Sequence, residues 1–241
     1  MIHRACVLIV ALWFPAFASA GSPAEIPDML HHAETGEVAW IAAEAAIDSS
    51  GRFREDLFGI RLSTARRNAR LNGTAENCRF FSGPTPDHFK PTNTLEDLAT
   101  HAETVVSGRI AAARQGFWFG IPGTLIRLRA TWLTNQPHST DTFLFYQLAK
   151  IPTAEGLVCA QPLGEFVPPA VGDRVLIYQM GSATPIESGQ VLWVSAREVI
   201  HESRGRKVLL PKALAAANQE ANYDLLERRT LSLIKAKSDR H

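Results

Sequence analysis

Residues 104–209 carry a series of short apolar segments separated by turn residues, and this pattern restricts the fold more than any other feature of the chain. In the segment 124–133, Arg127 and Arg129 alternate with apolar residues, which is the period-two pattern of a strand with one solvated face. We therefore predict a mainly β fold with flanking helices, built on an antiparallel β-barrel. The predicted strands are 104–110, 124–133, 142–146, 157–159, 173–178 and 190–194, followed by a hairpin of 198–201 with 207–209.

Helical patterns precede and follow these strands. Residues 21–60 are rich in alanine and have weak helical spacing, which predicts a helical N-terminal segment. Thr94 is placed to cap a short helix over 95–103. After Pro211, leucines recur between charged residues, and we predict a C-terminal helix over about 212–235.

The first twenty residues have the three parts of a secretory signal peptide. A basic start at His3 and Arg4 is followed by an apolar run and then by small residues before Gly21, which predicts cleavage between Ala20 and Gly21. The apolar run of about 12 residues is shorter than the ~20 residues that span a bilayer. We expect a secreted or periplasmic protein with no transmembrane segment in the mature chain.

Charge disfavours nucleic acid as a partner. The full chain has 25 lysines and arginines against 24 aspartates and glutamates. Removing Arg4 with the signal peptide leaves 24 against 24, so the mature net charge is zero. A protein without excess positive charge lacks the general attraction that phosphate backbones exert.

The cysteine count predicts a disulfide. Cys6 leaves with the signal peptide, and Cys78 and Cys159 remain. An even number of cysteines in an oxidising compartment favours a bond between them. Closing a loop of about 80 residues contributes roughly 4–5 kcal/mol in the chain-entropy model. Two buried free thiols are the alternative, and a catalytic cysteine is a weaker one.

The strand pattern resembles a known type of secreted barrel. It is carried by Val105-Val106-x-Gly108-Arg109-Ile110, by Leu125-Ile126-x-Leu128 and by the run 171–178. Over about residues 104–195 the chain resembles barrels of the oligonucleotide-binding (OB) type, above all netrin C-terminal modules and tissue metalloproteinase inhibitors. The resemblance implies an OB-like barrel. In those inhibitors the mature chain starts with a metal-reaching cysteine, whereas here it starts near Gly21, so that mechanism is not carried over.

Three consecutive aromatic residues between glycines form the most unusual local feature, at residues 116–123. The flanking strands predict a hairpin end here. Alternation buries only one side of a strand, so at least one ring stays outside. The functional interpretation is that Phe117, Trp118 and Phe119 offer an exposed aromatic contact for a protein, glycan or lipid partner. The alternative is that the N-terminal segment or the C-terminal helix covers them.

Signals for an enzyme or a metal site are weak. The sequence has no Gly-x-Ser-x-Gly elbow, phosphate-binding loop or dinucleotide fingerprint. Asp28, His31, His32 and Glu34 are metal-ligating types, but adjacent histidines on a helix point in different directions, so we predict no metal site. His201-Glu202-Ser203 contains the residue types of a triad only as sequence neighbours, which alternate sides on a strand.

These observations favour an exported, non-enzymatic binding or envelope-associated module without a cofactor. Its ligand would be an unknown protein, glycan or lipid. A small secreted hydrolase with a site assembled from distant residues is one alternative, and a structural accessory subunit is another. The predicted organisation is a signal peptide at 1–20, a helical or irregular segment at 21–103, a β-barrel domain at 104–210, and a C-terminal helix and tail at 211–241.

Overall fold

The computed structural model describes only part of the chain, namely residues 25–52, 54, 57, 70–72, 78–82, 94–134, 141–154, 156–160, 169–194, 198–203, 208–210 and 222–239. The predicted signal peptide and its cleavage site lie outside these residues. The protein is mainly β. Its helices are α1 (Ala43–Ala46), α2 (Leu95–His101) and α3 (Tyr223–Ser238).

The strands follow one another along the described chain with few helices between them, as the sequence predicts. They are β1 (Met29–His31), β2 (Val38–Ala42), β3 (Arg70–Asn72), β4 (Cys78–Ser82), β5 (Thr104–Trp118), β6 (Ile121–Leu133), β7 (Asp141–Tyr146), β8 (Ala149–Thr153), β9 (Gly156–Ala160), β10 (Arg174–Gln179), β11 (Thr184–Ile186), β12 (Gly189–Trp193), β13 (Val199–Glu202) and β14 (Val208–Leu209).

Within the described residues, ten strands form one sheet and four form another. The large sheet has the order β11-β12-β7-β6-β5-β10-β13-β14, and β2 joins it by pairing with β5 while β1 pairs with β2. The small sheet has the order β3-β4-β9-β8. The predicted purely antiparallel arrangement is wrong, because β12 runs parallel to β7 and β9 runs parallel to β4. Whether two strands pair parallel or antiparallel depends on the connection between them, and the alternation of apolar and polar residues within one strand does not encode it.

The long hairpin β5–β6 organises the large sheet. Its turn falls at Phe119 and Gly120, whose φ angles are 45° and 79°. Glycine adopts such left-handed angles readily. The predicted hairpin end is therefore confirmed, and both strands extend further toward the turn than the sequence pattern indicates.

The prediction of a helical N-terminal segment is wrong for residues 38–42. Trp40 and Ile41 lie in β2 and pair with Trp118 and Phe117 of β5. All four side chains are buried. Burial on both sides of a strand outweighs the helix preference of the surrounding alanines, which is small per residue.

The two flanking helices that the sequence predicts are present. Thr94 caps α2 through a capping box with Asp97, in which each side chain accepts from the other residue's backbone N–H. The Asn222 side chain accepts the Leu225 N–H at 3.1 Å and so caps α3. Residues 211–221, where the sequence pattern placed the beginning of the C-terminal helix, lie outside the described part.

Both faces of the large sheet are buried over much of their length. Neighbours on a strand belong to different clusters: Val105 packs with the helices on one face of the sheet, which we call the outer face, whereas Val106 packs with other strand residues on the opposite, inner face. Phe145 and Leu144 divide in the same way between the β1–β2 side and the inside. The inner face therefore encloses one core, while α2 and α3 cover one end of the outer face and β1–β2 cover the other.

The ladders do not close the sheet in the described part of the chain, so a closed barrel is not shown. β11 and β14 stand at opposite ends of the strand order. Past the end of β1, His32 forms an isolated antiparallel bridge with Ile186. The Glu187 N–H donates to the His31 carbonyl at 3.2 Å beside it. In the described residues no helix is long and apolar enough to cross a membrane.

Candidate functional site

The residues Phe117, Trp118 and Phe119, which we call the aromatic tip, lie against the β1–β2 hairpin. Phe117 and Trp118 are only 1% and 2% exposed, so the interpretation of an exposed contact is wrong for these two rings, and the alternative of cover by the N-terminal segment is confirmed for them. Phe119 is half-buried, and its ring lies edge-on to Trp118 with the centroids 4.9 Å apart. The reason is the pairing of β2 with the end of β5, which sequence alternation within β5 cannot reveal. Whether a partner contacts this region stays a prediction.

Gly116 explains how the cover fits so closely. A Cβ atom at this position would lie 2.3 Å from the Ile41 carbonyl oxygen and 2.6 Å from the Trp40 ring. Real Cβ contacts are not that short, so only glycine lets β2 approach β5 here. The glycine beside the aromatic residues was thus a signal for close strand contact.

A second group of polar side chains is centred on Arg174 of β10. Its guanidinium donates to Asp224 at 2.7 Å, to Glu202 at 3.2 Å and to Glu227 at 3.4 Å. Burial alone would lower the pKa of Arg174, but the hydrogen bond and the charge of Asp224 raise it overall. Since these acids come from β13 and α3, Arg174 joins the helix to the sheet.

Glu227 completes this helix-to-sheet contact. One carboxylate oxygen accepts from the Trp132 indole N–H at 3.1 Å and from the Ser107 hydroxyl. The side chain of Glu227 is 18% exposed. Hydrogen bonds to both carboxylate oxygens satisfy a mostly buried acid, so this group has the character of a structural contact.

Two arginines lie side by side on the outer face of the sheet, between the helices and the β1–β2 hairpin. Arg109 of β5 and Arg129 of β6 are direct cross-strand partners, and both are exposed. We call them the arginine pair. Arg109 donates to the Gly172 carbonyl at 3.4 Å. Among the described residues, no carboxylate forms an ion pair with either arginine.

The backbone around the arginine pair is irregular on both sides. The β5–β6 register shifts between Ser107 and Gly108 and again between Ile110 and Ala112. A Cβ on Gly108 would lie 2.6 Å from the Arg129 carbonyl oxygen, so this glycine permits the close approach of the two strands. Bulges of this kind re-aim side chains and are enriched beside functional sites.

The structure does not bring the metal-ligating types of the N-terminal segment together. Asp28 pairs with Arg114 at 2.7 Å, and His31 faces Glu187 at 3.6 Å. The His32 Nδ1 accepts backbone N–H groups of Glu34 and its neighbour Thr35, both at 3.3 Å. No group of three or more His, Cys, Asp or Glu residues converges as a metal site in the part of the chain that is described.

An open, polar depression of about 500 Å³ lies where α2 meets β5. His101, Glu103, Ser182 and Lys237 are among its lining residues. The Ser182 hydroxyl donates to Glu103 at 3.1 Å, and the Lys237 ammonium donates to a backbone carbonyl at 2.8 Å. The His101 Nδ1 lies 2.8 Å from the Asp97 carbonyl oxygen of its own helix. The depression therefore combines a hydroxyl, a carboxylate and an imidazole in its lining.

The sequence neighbours His201, Glu202 and Ser203 do not form one site. His201 is 3% exposed, whereas Glu202 turns to Arg174 on the neighbouring strand. Burial lowers the pKa of His201 below 6.5, and the charge of Asp173 opposes that shift in part. The buried imidazole is thus held neutral at pH 7.

The cysteines lie on neighbouring strands. The register of β4 with β9 pairs Cys78 with Leu157 and Phe80 with Cys159, so the cysteines are offset by two positions. Their side chains lie outside the described part. The disulfide stays a prediction.

Comparisons with known proteins do not assign a family. No model of a protein family matches the chain, and searches of curated proteins and of solved structures also found no match.

Proposed function

We propose that the protein is an exported, non-enzymatic binding or envelope-associated module. Its contact surface is the exposed part of the outer sheet face formed by Arg109, Arg129 and Thr131, which we call the open strip. The observation that carries this proposal is the position of the open strip. It is the stretch of β5–β6 left exposed between two layers that cover the same face.

The covering layers define the limits of the open strip. On one side, Val105 and Trp132 pack with the helices. On the other, Arg114 and Arg127 donate to backbone carbonyls of the N-terminal segment, at 2.8 Å and 3.5 Å. The backbone of the open strip is held by the pairing of β5 with β6, so binding has to order side chains and not the backbone.

We further propose that the sheet is a partly open barrel of the OB type. Five successive strands in the sheet order, β12-β7-β6-β5-β10, each contribute side chains to the inner core, and β13 adds Val199. Leu192 of β12 and Val175 of β10 belong to that core although their strands are separated by three others. Enclosure of one core by the two ends of a strand series is what an incompletely closed barrel requires.

A photo-crosslinking experiment tests the binding role. A photoreactive amino acid replaces Thr131 in the full-length protein, produced in a host that exports it, and a matched variant carries it at the exposed Glu34. After irradiation in the intact envelope, the position-131 variant should form a discrete adduct that the position-34 variant lacks. Equal adducts at both positions, or none at position 131, would contradict the open strip as a contact surface. An adduct of fixed one-to-one composition with another protein would favour the accessory-subunit alternative.

Export is tested on the same material. Signal cleavage predicts that the mature chain starts at Gly21. A disulfide between Cys78 and Cys159 removes two hydrogens, so the intact mass without a reductant should lie about 2 Da below that of the reduced chain. Because this difference is small, alkylation gives the clearer result: both cysteines should be alkylated only after reduction. The mass of the full-length chain would contradict cleavage of the signal peptide. Two alkylatable thiols before reduction would contradict the disulfide.

A hydrolase remains the second candidate, and one observation favours it. The depression beside α2 places Ser182 in a hydrogen bond with Glu103, and His101 lines the same depression. A hydroxyl nucleophile needs a base within hydrogen-bond reach. Ester hydrolysis by the purified protein that disappears in Ser182→Ala and persists in Ser188→Ala would establish this candidate. Equal rates in both variants would exclude Ser182 as the nucleophile.

A further inference from the structure

Three arginines form a row across neighbouring strands of the large sheet. Arg174 of β10 is the direct partner of Arg109 of β5, and Arg109 is the direct partner of Arg129 of β6. Direct partners on antiparallel strands project to the same side of the sheet, with Cβ atoms about 5 Å apart. The row therefore brings three positive charges close together on one face.

Within the described residues, carboxylates neutralise Arg174, at one end of this row, and neither of the other two arginines. Arg174 bonds to three carboxylates, and the nearby Arg127 and Arg114 pair with Asp141 and with Asp28, each at 2.7 Å. In the described part of the chain no carboxylate does the same for the arginine pair. Like charges directly opposite each other destabilise a sheet. Both guanidinium groups of the arginine pair are exposed, so an anionic group can reach them from solvent.

The local backbone favours a defined arrangement of the arginine pair. The β5–β6 segment that carries the arginine pair has a register shift at each end. Between the two shifts it contains three cross-strand pairs, Gly108–Ala130, Arg109–Arg129 and Ile110–Leu128. Ile110 and Leu128 are buried on the inner side, which leaves the two arginines as the long side chains that project outward. The Gly172 carbonyl holds one guanidinium of the pair at 3.4 Å.

We propose that the arginine pair is a binding site for a phosphoryl group. Guanidinium forks match the oxygens of phosphate and carboxylate groups through paired hydrogen bonds. Two adjacent guanidinium groups carry two positive charges. A phosphate monoester carries about −1.5 to −2 at pH 7 and has three terminal oxygens, whereas a carboxylate has one charge and two oxygens. Charge and oxygen number therefore favour the phosphoryl group.

This proposal deepens the proposed function, since it assigns a ligand chemistry to the open strip. The phosphoryl group has two possible sources, a small soluble phosphate ester or a lipid headgroup. The mature net charge of zero removes the general attraction to polyanions, so binding depends on these two side chains.

Calorimetric titration of the full-length protein tests the site. The probes are inorganic phosphate, glycerol phosphate and, at equal ionic strength, acetate. Both phosphates should bind with one-to-one stoichiometry and acetate should bind at least about tenfold more weakly, the discrimination that one additional charge-assisted hydrogen bond provides. Co-sedimentation with phosphatidylcholine vesicles that contain phosphatidic acid, against phosphatidylcholine alone, identifies a lipid source. No phosphate binding, or equal binding of acetate, overturns the proposal.

Three variants locate the site. Arg109→Gln and Arg129→Gln should each weaken phosphate binding by about tenfold. Arg52→Gln makes the same charge change at an exposed position elsewhere and should leave the affinity unchanged. Unchanged binding in the first two variants, or an equal loss in the third, overturns the assignment.

The melting temperature separates a binding role from a structural one. Removing one of two facing like charges should leave the melting temperature of Arg129→Gln unchanged or raised, and phosphate should raise it in the unmodified protein alone. A lowered melting temperature would identify the arginine as a structural residue and overturn the proposal. If adducts persist at position 131 while phosphate fails to bind, the binding role stands and this ligand assignment falls. Phosphate binding without adducts gives the reverse result.

Discussion

The guanidinium carbon of Arg174 lies 4.1 Å from the ring centroid of Tyr223, and this stacking joins the first residue of β10 to the first residue of α3. The ring is buried, and burial raises the pKa of Tyr223 above its ordinary value despite the hydrogen bond with Ser107. A neutral phenol under a guanidinium is a stable arrangement at pH 7. The contact fixes the beginning of the C-terminal helix on the sheet.

Loss of Arg174 should destabilise the fold. Arg174→Gln leaves Glu202, Asp224 and Glu227 without their cation and removes the stacking on the Tyr223 ring. We expect a loss of about 2–3 kcal/mol in the free energy of unfolding, measured by urea denaturation. The stability of Arg174→Lys should lie between that of the unmodified protein and that of Arg174→Gln, because an ammonium keeps the charge but lacks the planar fork.

The matched control for this prediction is Arg228→Gln on α3. Arg228 is exposed and donates to the Asp224 carbonyl at 3.2 Å. Its substitution should change stability by no more than about 0.5 kcal/mol. Equal effects of the two substitutions would show that Arg174 does not hold the helix.

Gly116→Ala should disrupt the cover of the aromatic tip. The added Cβ would clash with the backbone of β2 at the Ile41 carbonyl, so the hairpin has to move away from β5. We expect a loss of about 2–3 kcal/mol, typical of overpacking, with a rise in tryptophan fluorescence wavelength as Trp40 and Trp118 become hydrated. Gly36→Asn is the control, since a Cβ there meets nothing within 4 Å and asparagine tolerates its φ of 66°. A stable Gly116→Ala protein with unchanged fluorescence would contradict the close packing.

Polar substitution should destabilise the protein strongly at the buried Trp118 and only slightly at the half-buried Phe119. Trp118→Ser removes a ring that packs against Phe145 and Phe119, with centroids 6.1 Å and 4.9 Å away, and we expect a loss of about 3–5 kcal/mol in urea denaturation. Phe119→Asn loses the contacts of a half-buried ring, which lowers stability. Asparagine adopts the left-handed φ of 45° more readily than phenylalanine, which offsets part of that loss, so the net cost should be less than about 1 kcal/mol. A stable Trp118→Ser variant would show that the ring is not part of the core.

The sequence predicted the elements of this fold better than their assembly. Alternation correctly placed strands such as 124–133, and Thr94 marked the beginning of α2 correctly. These signals are local, because side-chain direction and helix caps depend on a few neighbouring residues. The aromatic tip is covered because β2 pairs with β5. In this pairing Trp40 lies opposite Trp118, 78 residues later in the chain, and such long-range pairing has no local signature.

The arginine pair illustrates the same limit. Alternation put Arg129 on the solvated side of its strand, which the structure confirms by its exposure. The sequence does not state that Arg109 lies opposite, because the two register shifts of β5 with β6 move the partners away from simple hairpin counting. The glycine at position 108 was the available signal, since glycine within a strand often marks a bulge or a close approach.

The buried imidazole of His201 should make stability depend on pH. In the folded protein burial lowers the pKa of His201 below its ordinary value of 6.5, so the folded state binds fewer protons than the unfolded state below that pH. The free energy of unfolding therefore falls as the pH is lowered from about 6.5, by at most about 1.4 kcal/mol per pH unit, until the folded-state pKa is reached. Urea denaturation at pH 7.5, 6.5 and 5.5 measures this slope. His201→Gln should flatten it, whereas His101→Gln, at an exposed position, should leave it unchanged. The same slope in all three proteins would show that His201 does not titrate between the folded and unfolded states, and that the imidazole is not held neutral by its place in the core.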